Sequence, residues 1–208
     1  MAGGALLQNA DLTRQIFRTL VNSVKKPISL KMRIGVTEEN NSLFLDIAKI
    51  AEQEGIGMMT LHPRTVSQGY SGHADWDMIK KLKQNASVPV VGNGDITSPE
   101  IAKKVLDYTG CDYLMIGRGA MGNPFIFEQI NDYLESGVYK KYTLTDRLEA
   151  FVTYLELTEK YHIRFANIKQ QAIRFTKGTV GGGQLRNRLS AATNTDDLKE
   201  LLLQKVTV

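Results

Sequence analysis

Cysteine and long apolar runs are what this 208-residue chain has least of. Its one cysteine, Cys111, excludes an internal disulfide framework and fits a reducing compartment, so a cytoplasmic setting is expected. No apolar run approaches the ~20 residues that span a bilayer, and no membrane association is expected. Met1 is followed by Ala-Gly-Gly rather than by basic residues and an apolar stretch, which is not the pattern of a secretory signal. No metal site is expected. Charge of one sign is missing locally: between Lys160 and Arg188 there are seven Lys or Arg residues and no Asp or Glu. The whole chain carries a net charge of +4, so the remainder is net acidic. That asymmetry points to a polyanion partner for the C-terminal part. With 42% hydrophobic and 23% charged residues, the chain has the balance of an ordinary globular protein of one or two domains.

What is present is an alternation of helix and strand. Leu12, Ile16, Leu20 and Val24 recur at four-residue spacing and predict an amphipathic helix over 11–24, stopped by Pro27. The run Ile28-Ser29-Leu30-Lys31-Met32-Arg33 alternates like a strand. Leu43, Ile47, Ile50 and Ala51 mark a second helix, closed near Gly55, and 57–62 reads as the next strand. A short helix over 76–83 leads to a strand over 88–92. Ser98-Pro99-Glu100 then opens a helix with a capping serine and a proline at the first helical position. Tyr113 to Ile116 is the fourth strand. Strands alternating with helices imply a parallel sheet, and hence the α/β class.

Two strand ends carry small-residue loops with one charged group each: Gly92-Asn93-Gly94-Asp95-Ile96 and Ile116-Gly117-Arg118-Gly119. In a (β/α)₈ barrel the loops after strands 7 and 8 commonly hold a phosphate, and backbone without Cβ can bring its N–H groups close to an anion. Two such loops in consecutive units predict a phosphate-bearing cofactor. After Pro124 the pattern turns helical, with helices expected over 125–135, 145–162, 165–177 and 195–203. Leu148, Val152 and Leu155 are the expected core of this part. Gly181-Gly182-Gly183 is expected as a turn, because the stretch follows a helix and lacks the Gly-Lys-Ser/Thr of a P-loop. The boundary falls near Lys140, giving a β/α part over 1–140 and a helical part over 141–208. Four β/α units are half of a barrel that needs eight strands and ~250 residues.

The strand-end segments 30–35, 61–65, 92–96 and 115–124, together with Phe175-Thr176-Lys177-Gly178 and Leu185-Arg186-Asn187-Arg188, resemble the tRNA-dihydrouridine synthases, most closely the bacterial B-type branch. The resemblance covers essentially the whole chain. It implies strands 5–8 of an FMN-binding TIM barrel followed by an all-α, tRNA-binding domain. It also implies NADPH as reductant, hydride delivery from the flavin to C6 of a uracil flipped out of tRNA, and a cysteine that protonates C5. By motif position Lys31 is expected beside the flavin ring, where a cation stabilises the reduced form, with His62 as a further flavin contact. Asn93, Gly94, Asp95, Gly117 and Arg118 are expected to hold the ribityl phosphate. Arg33 and Arg64 are expected to face the uridine or nearby tRNA phosphates, and Lys177, Arg186 and Arg188 the RNA.

The family's cysteine segment would precede residue 1, so no catalytic acid is expected in this chain, and the chain alone is expected to be inactive. Cys111 lies before the fourth strand, a strand's length or roughly 15 Å from the C-terminal ends, and is expected to be a small buried hydrophobe. A half barrel leaves open strand edges at 28–33 and 113–116, so self-association or a missing half in trans is expected. Two alternatives stay open: a non-catalytic RNA-binding remnant, and another FMN-barrel oxidoreductase of the dihydroorotate dehydrogenase type.

Overall fold

A computed structural model describes residues 3–176 and 182–203. The chain divides into two compact units, Met1–Gly117 and Arg118–Val208. In the first, strands β1 (Ser29–Arg33), β2 (Met58–His62), β3 (Val90–Asn93) and β4 (Tyr113–Met115) form one sheet in the order β1-β2-β3-β4. All three pairings are parallel. Helices α1 (Ala10–Ser23), α2 (Leu43–Gln53), α3 (Trp76–Asn85) and α4 (Pro99–Thr109) alternate with the strands. A β-helix-β crossover is right-handed in nearly every protein, so an unreversed strand order winds in one direction, as in consecutive units of a (β/α)₈ barrel.

Strand period two divides the sheet into unlike faces. Met32, Met59, Leu61, Val90 and Gly92 are buried on one of them. A Cβ built on Gly92 would lie 3.5 Å from Ile79 of α3, so this is the helix-covered face. In register on the other face stand Lys31 with Thr60 and Arg33 with His62. Asn93 with Met115 and Val91 with Tyr113 continue it. Cys111 is buried, with its Sγ 3.0 Å from the same built Cβ on Gly92. It therefore packs on the helix-covered side, as a small hydrophobe.

Local signals account for the element ends. Ser98 accepts a hydrogen bond from the Ile101 N–H (3.3 Å) with Pro99 at the first turn, and Asn9 caps α1 through the Leu12 N–H (3.0 Å). The stripe on α1 is a correction. Leu12, Leu20 and Val24 are 43%, 44% and 47% exposed, whereas Thr13 and Phe17 are buried. A four-residue spacing advances past a full turn and winds round the helix. Arg14 and Arg18 pair with Glu54, the residue that caps α2, at 2.8 and 2.9 Å, beside the buried Thr13–Phe17 side.

In the second unit α5 (Ile126–Ser136), α6 (Leu144–Lys160), α7 (Phe165–Phe175), α8 (Gly182–Ala191) and α9 (Thr195–Leu203) follow a 3₁₀ turn at Arg118–Ala120. The composition change near Lys140 falls inside this unit, between α5 and α6. Leu148, Phe151, Leu155, Ile168, Phe175 and Leu189 lead its core, with the Phe151 and Phe175 rings edge to face at 5.1 Å. Phe151 takes the buried place expected of Val152, which is half-buried. Of the turn expected over Gly181-Gly182-Gly183, Gly181 lies outside the described residues, and Gly182 and Gly183 are a correction, since they open α8. Leu185 and Leu189, one helical turn apart, both enter the core. Tertiary packing of that face outweighs the poor helix propensity of two glycines. Gly122 is required where it is: at φ +79°, a Cβ there would lie 2.4 Å from the Arg174 carbonyl oxygen.

Candidate functional site at the strand C-termini

The candidate site is built from the segments that leave the C-terminal ends of β1, β2 and β3. The segment after β2 runs Pro63-Arg64-Thr65 and returns at Asp75, the N-cap of α3. Two arginines hold it through its own carbonyls. Arg33, at the end of β1, donates from one terminal nitrogen to Thr65 O (2.5 Å) and Gly69 O (3.1 Å). Arg64 donates from Nε to Ser71 O (3.1 Å) and from a terminal nitrogen to Gly72 O (2.8 Å). It also grips Asp95 with two near-parallel bonds of 3.0 and 2.7 Å. Arg64 is only 1% exposed. Both arginines, expected to face RNA, have contacts that organise a loop.

Asp95 sits in the left-handed region at φ 56°, an uncommon conformation for a residue with a side chain. Its carboxylate is fixed by Arg64 and by the Ala74 N–H (2.8 Å). Gly94 precedes it at φ +125°, and a Cβ there would meet Ala74 Cβ at 2.8 Å and His62 Cδ2 at 3.3 Å. Trp76 Nε1 donates to Gly94 O (3.2 Å), and the Asn93 amide donates to Met115 O (2.7 Å). The loops after β2 and β3 thus lock each other.

His62 is buried beside these groups, with Nε2 3.4 Å from an Arg64 nitrogen and its ring 6.5 Å from that of Tyr70. Burial pushes its pKa down to about 4, helped by the Arg33, Lys31 and Arg64 cations and opposed by Asp95. The imidazole is therefore neutral at neutral pH. Lys31 is exposed on its strand, yet desolvation by nearby protein holds its ammonium below the usual lysine value, with Arg33 adding to the effect. Lys31, Arg33, His62 and Asn93 share the face opposite the one on which α3 packs. Among the described residues no group of three or more His, Cys, Asp or Glu is placed to hold a metal ion, and no helix is long and apolar enough to cross a membrane.

A family profile described as Dihydrouridine synthase (Dus) matches residues 1–208. The chain belongs to the dihydrouridine synthase family. It is 44% identical over 181 residues to tRNA-dihydrouridine synthase B of Shewanella oneidensis, covering 87% of this chain and 55% of that relative. Proteins of the same name from Yersinia pestis and Vibrio vulnificus are 49% and 50% identical over 137 residues, 66% of this chain and 42% of each relative. These relatives put the chain in the bacterial B-type branch. It spans about half the length of the curated relatives it matches. The family match sets aside the dihydroorotate dehydrogenase-type alternative.

Of the other residues singled out by the dihydrouridine synthase resemblance, Gly117 ends the first unit, and a Cβ on it would meet nothing within 4 Å. Arg118 is exposed in the 3₁₀ turn that opens the second. Lys177 lies outside the described residues. Arg186 is half-buried and Arg188 exposed on α8, two residues apart and so on diverging directions. Lys169, within the acid-free stretch, donates to Ser190 O (3.0 Å) and Ala192 O (2.9 Å) and so closes the end of α8. A cleft of about 790 Å³ in this unit is lined by Phe125, Tyr142 and Tyr154 and bears the Asp146 and Glu149 carboxylates, an unfavourable lining for phosphate. The Arg64–Asp95 clamp was missed by sequence reasoning. The one available signal was the arginine and the aspartate each following a strand end.

Proposed function

We propose that this chain carries the flavin-facing C-terminal part of a tRNA-dihydrouridine synthase, which reduces uridine to 5,6-dihydrouridine in tRNA with FMN as cofactor and NADPH as reductant. The observation that supports this, beyond family membership, is the set Lys31, Arg33, His62 and Asn93 on the sheet face opposite α3, in the C-terminal part of the strands. The donor set fits FMN: a lysine cation for the ring, a neutral histidine, and a loop at Gly94 whose backbone admits no Cβ. Lys31 and His62 would hold the flavin ring system, and Asn93, Gly94, Asp95, Gly117 and Arg118 the ribityl phosphate. Bound FMN supplies hydride-transfer chemistry. Lys31 stabilises negative charge at its own position. Arg64 keeps the Asp95 loop in its strained form, and Arg33 holds the segment after β2. The helical unit, over 141–208 in the resemblance, is read as the tRNA-binding part, with Lys177, Arg186 and Arg188 as phosphate contacts.

Cys111 is the chain's one thiol and packs under the helices, on the side of the sheet opposite Lys31 and His62. It is not placed to supply the proton at C5, a role the resemblance gives to a cysteine of a different segment. This placement favours a second reading for the chain by itself, RNA binding without turnover. Completion of the sheet, by a barrel half in trans or by self-association, belongs to the same proposal.

The test is titration of the 208-residue chain with FMN, followed by quenching of flavin fluorescence. Saturable binding, weakened at least about tenfold in Lys31→Ala and in Arg118→Ala, is the expected result; tenfold corresponds to about 1.4 kcal/mol. Saturable binding unchanged in both variants removes these residues from the site. No binding by the wild type means that the flavin site is not complete in this chain.

A further inference from the structure

We propose that Arg64 is a positioning residue that fixes His62 as the neutral imidazole protonated on Nδ1, so that Nδ1–H is the donor offered to an acceptor atom on the bound cofactor. The first half stands on geometry alone; the last clause rests on the flavin reading above.

A guanidinium has donors and no acceptor. One terminal nitrogen of Arg64 lies 3.4 Å from His62 Nε2, so Nε2 must be the accepting atom. A proton on Nε2, in either the other neutral tautomer or the imidazolium, would set donor against donor. Arg64 has no freedom to withdraw, because its remaining donors are held by Ser71 O, Gly72 O and both oxygens of Asp95. The ring is held as well. A Cβ on Gly94 would stand 3.3 Å from Cδ2, the carbon bonded to Nε2, so the Cδ2–Nε2 edge faces Gly94 and Arg64. The opposite edge carries Nδ1. Among the described residues no protein group pairs with that atom.

The charged groups around the ring favour the neutral form on balance. Lys31 and Arg33 stand on β1 and Arg64 follows β2, three cations against the single carboxylate of Asp95 after β3. A fixed Nδ1–H donor suits a carbonyl oxygen, ring nitrogen or phosphate oxygen that cannot itself donate. Pro63, Gly94 and Asp95 acquire a joint purpose in this reading. They hold Arg64 and the ring in one relation, so the motifs Leu61-His62-Pro63-Arg64-Thr65 and Asn93-Gly94-Asp95 act as one device.

The experiment is a two-bond proton–nitrogen correlation spectrum of the chain labelled with nitrogen-15 in its three histidines, without flavin, with His62→Gln assigning the His62 signals. The expected result is an Nδ1–H pattern for His62 from pH 5 to 8, with protonation only near pH 4. In Arg64→Met the Nε2–H form, dominant in free histidine, should become the major one, and the protonation midpoint should move toward about 6.5. A wild-type spectrum with Nε2–H, or with averaged tautomers, overturns the proposal even if Arg64→Met does not fold. So does a folded Arg64→Met with an unchanged tautomer. Arg64→Lys, which keeps the charge but loses the fork, should leave His62 neutral while loosening its tautomer; a sharp Nδ1–H pattern there would assign the effect to charge alone and overturn the positioning role. Because flavin is absent, failure of FMN to bind in the titration leaves this result intact, and the two proposals fail separately.

Discussion

A buried arginine needs more than one partner, and Arg64 has them: two backbone carbonyls, two carboxylate oxygens and an imidazole nitrogen. Removing one member of such a set leaves a desolvated charge behind. Asp95→Asn keeps the size of the side chain but strips the counter-charge from Arg64 at a residue already in the left-handed region. It should destabilise the first unit by roughly 2–4 kcal/mol, a range lowered from that of a fully buried pair because Asp95 is 26% exposed. Urea midpoints of the two proteins check this, and equal midpoints would refute the clamp's energetic role. His62 sets a pH dependence of known sign. Its folded pKa, about 4, lies below the unfolded value of about 6.5, so the unfolded state binds the extra proton between them. Its stabilising contribution is full above pH 6.5 and is lost as pH falls toward 4. Across that window the wild type should lose at most ~3 kcal/mol more than His62→Gln, measured by urea unfolding at several pH values. Parallel curves would show that His62 is not buried as neutral imidazole.

Among the elements, α8 departs furthest from expectation. Its glycines read as a turn, yet Leu185 and Leu189 draw it into the helical core and Lys169 closes its last carbonyls. The helix carries Arg186 and Arg188 at fixed but diverging positions. If both meet RNA phosphates, Arg186→Ala with Arg188→Ala should weaken tRNA binding and reduce the slope of log affinity against log salt by roughly one for each phosphate no longer neutralised. An unchanged slope would take α8 out of the interface. The other strand and helix limits were legible because caps, prolines and strand alternation are local signals. The exposed stripe on α1 was not, because the Arg14 and Arg18 pairs with Glu54 depend on a neighbour 36–40 residues away.

At the scale of the whole molecule, the described sheet ends in two unpaired edges, β1 and β4. Tyr113 and Met115 on β4 are 60% and 37% exposed and stand on the face away from the helices. Open edges with exposed apolar side chains pair with other strands. The isolated chain should therefore associate in a concentration-dependent way, and Tyr113→Lys with Met115→Lys should shift it toward monomer in light scattering after size-exclusion chromatography. A wild-type monomer at all concentrations, melting cooperatively, would defeat the expectation that the sheet seeks completion.

Composition, strand alternation and loop motifs by themselves determined the α/β class, the order of four strands and the positions of Lys31 within its strand and of His62 and Asn93 at strand ends, because these follow from local periodicity and short-range sterics. Motif order also pointed to the family that the comparisons then showed. Only the tertiary structure decided what Arg33 and Arg64 touch. Apart from His62, two positions from Arg64, their partners come from residues 7–36 positions away, and a charge at a strand end reads the same in sequence whether it faces solvent, RNA or a carbonyl of its own chain. The same reason holds for His62: its burial and its protonation are set by β1 and by the loops after β2 and β3.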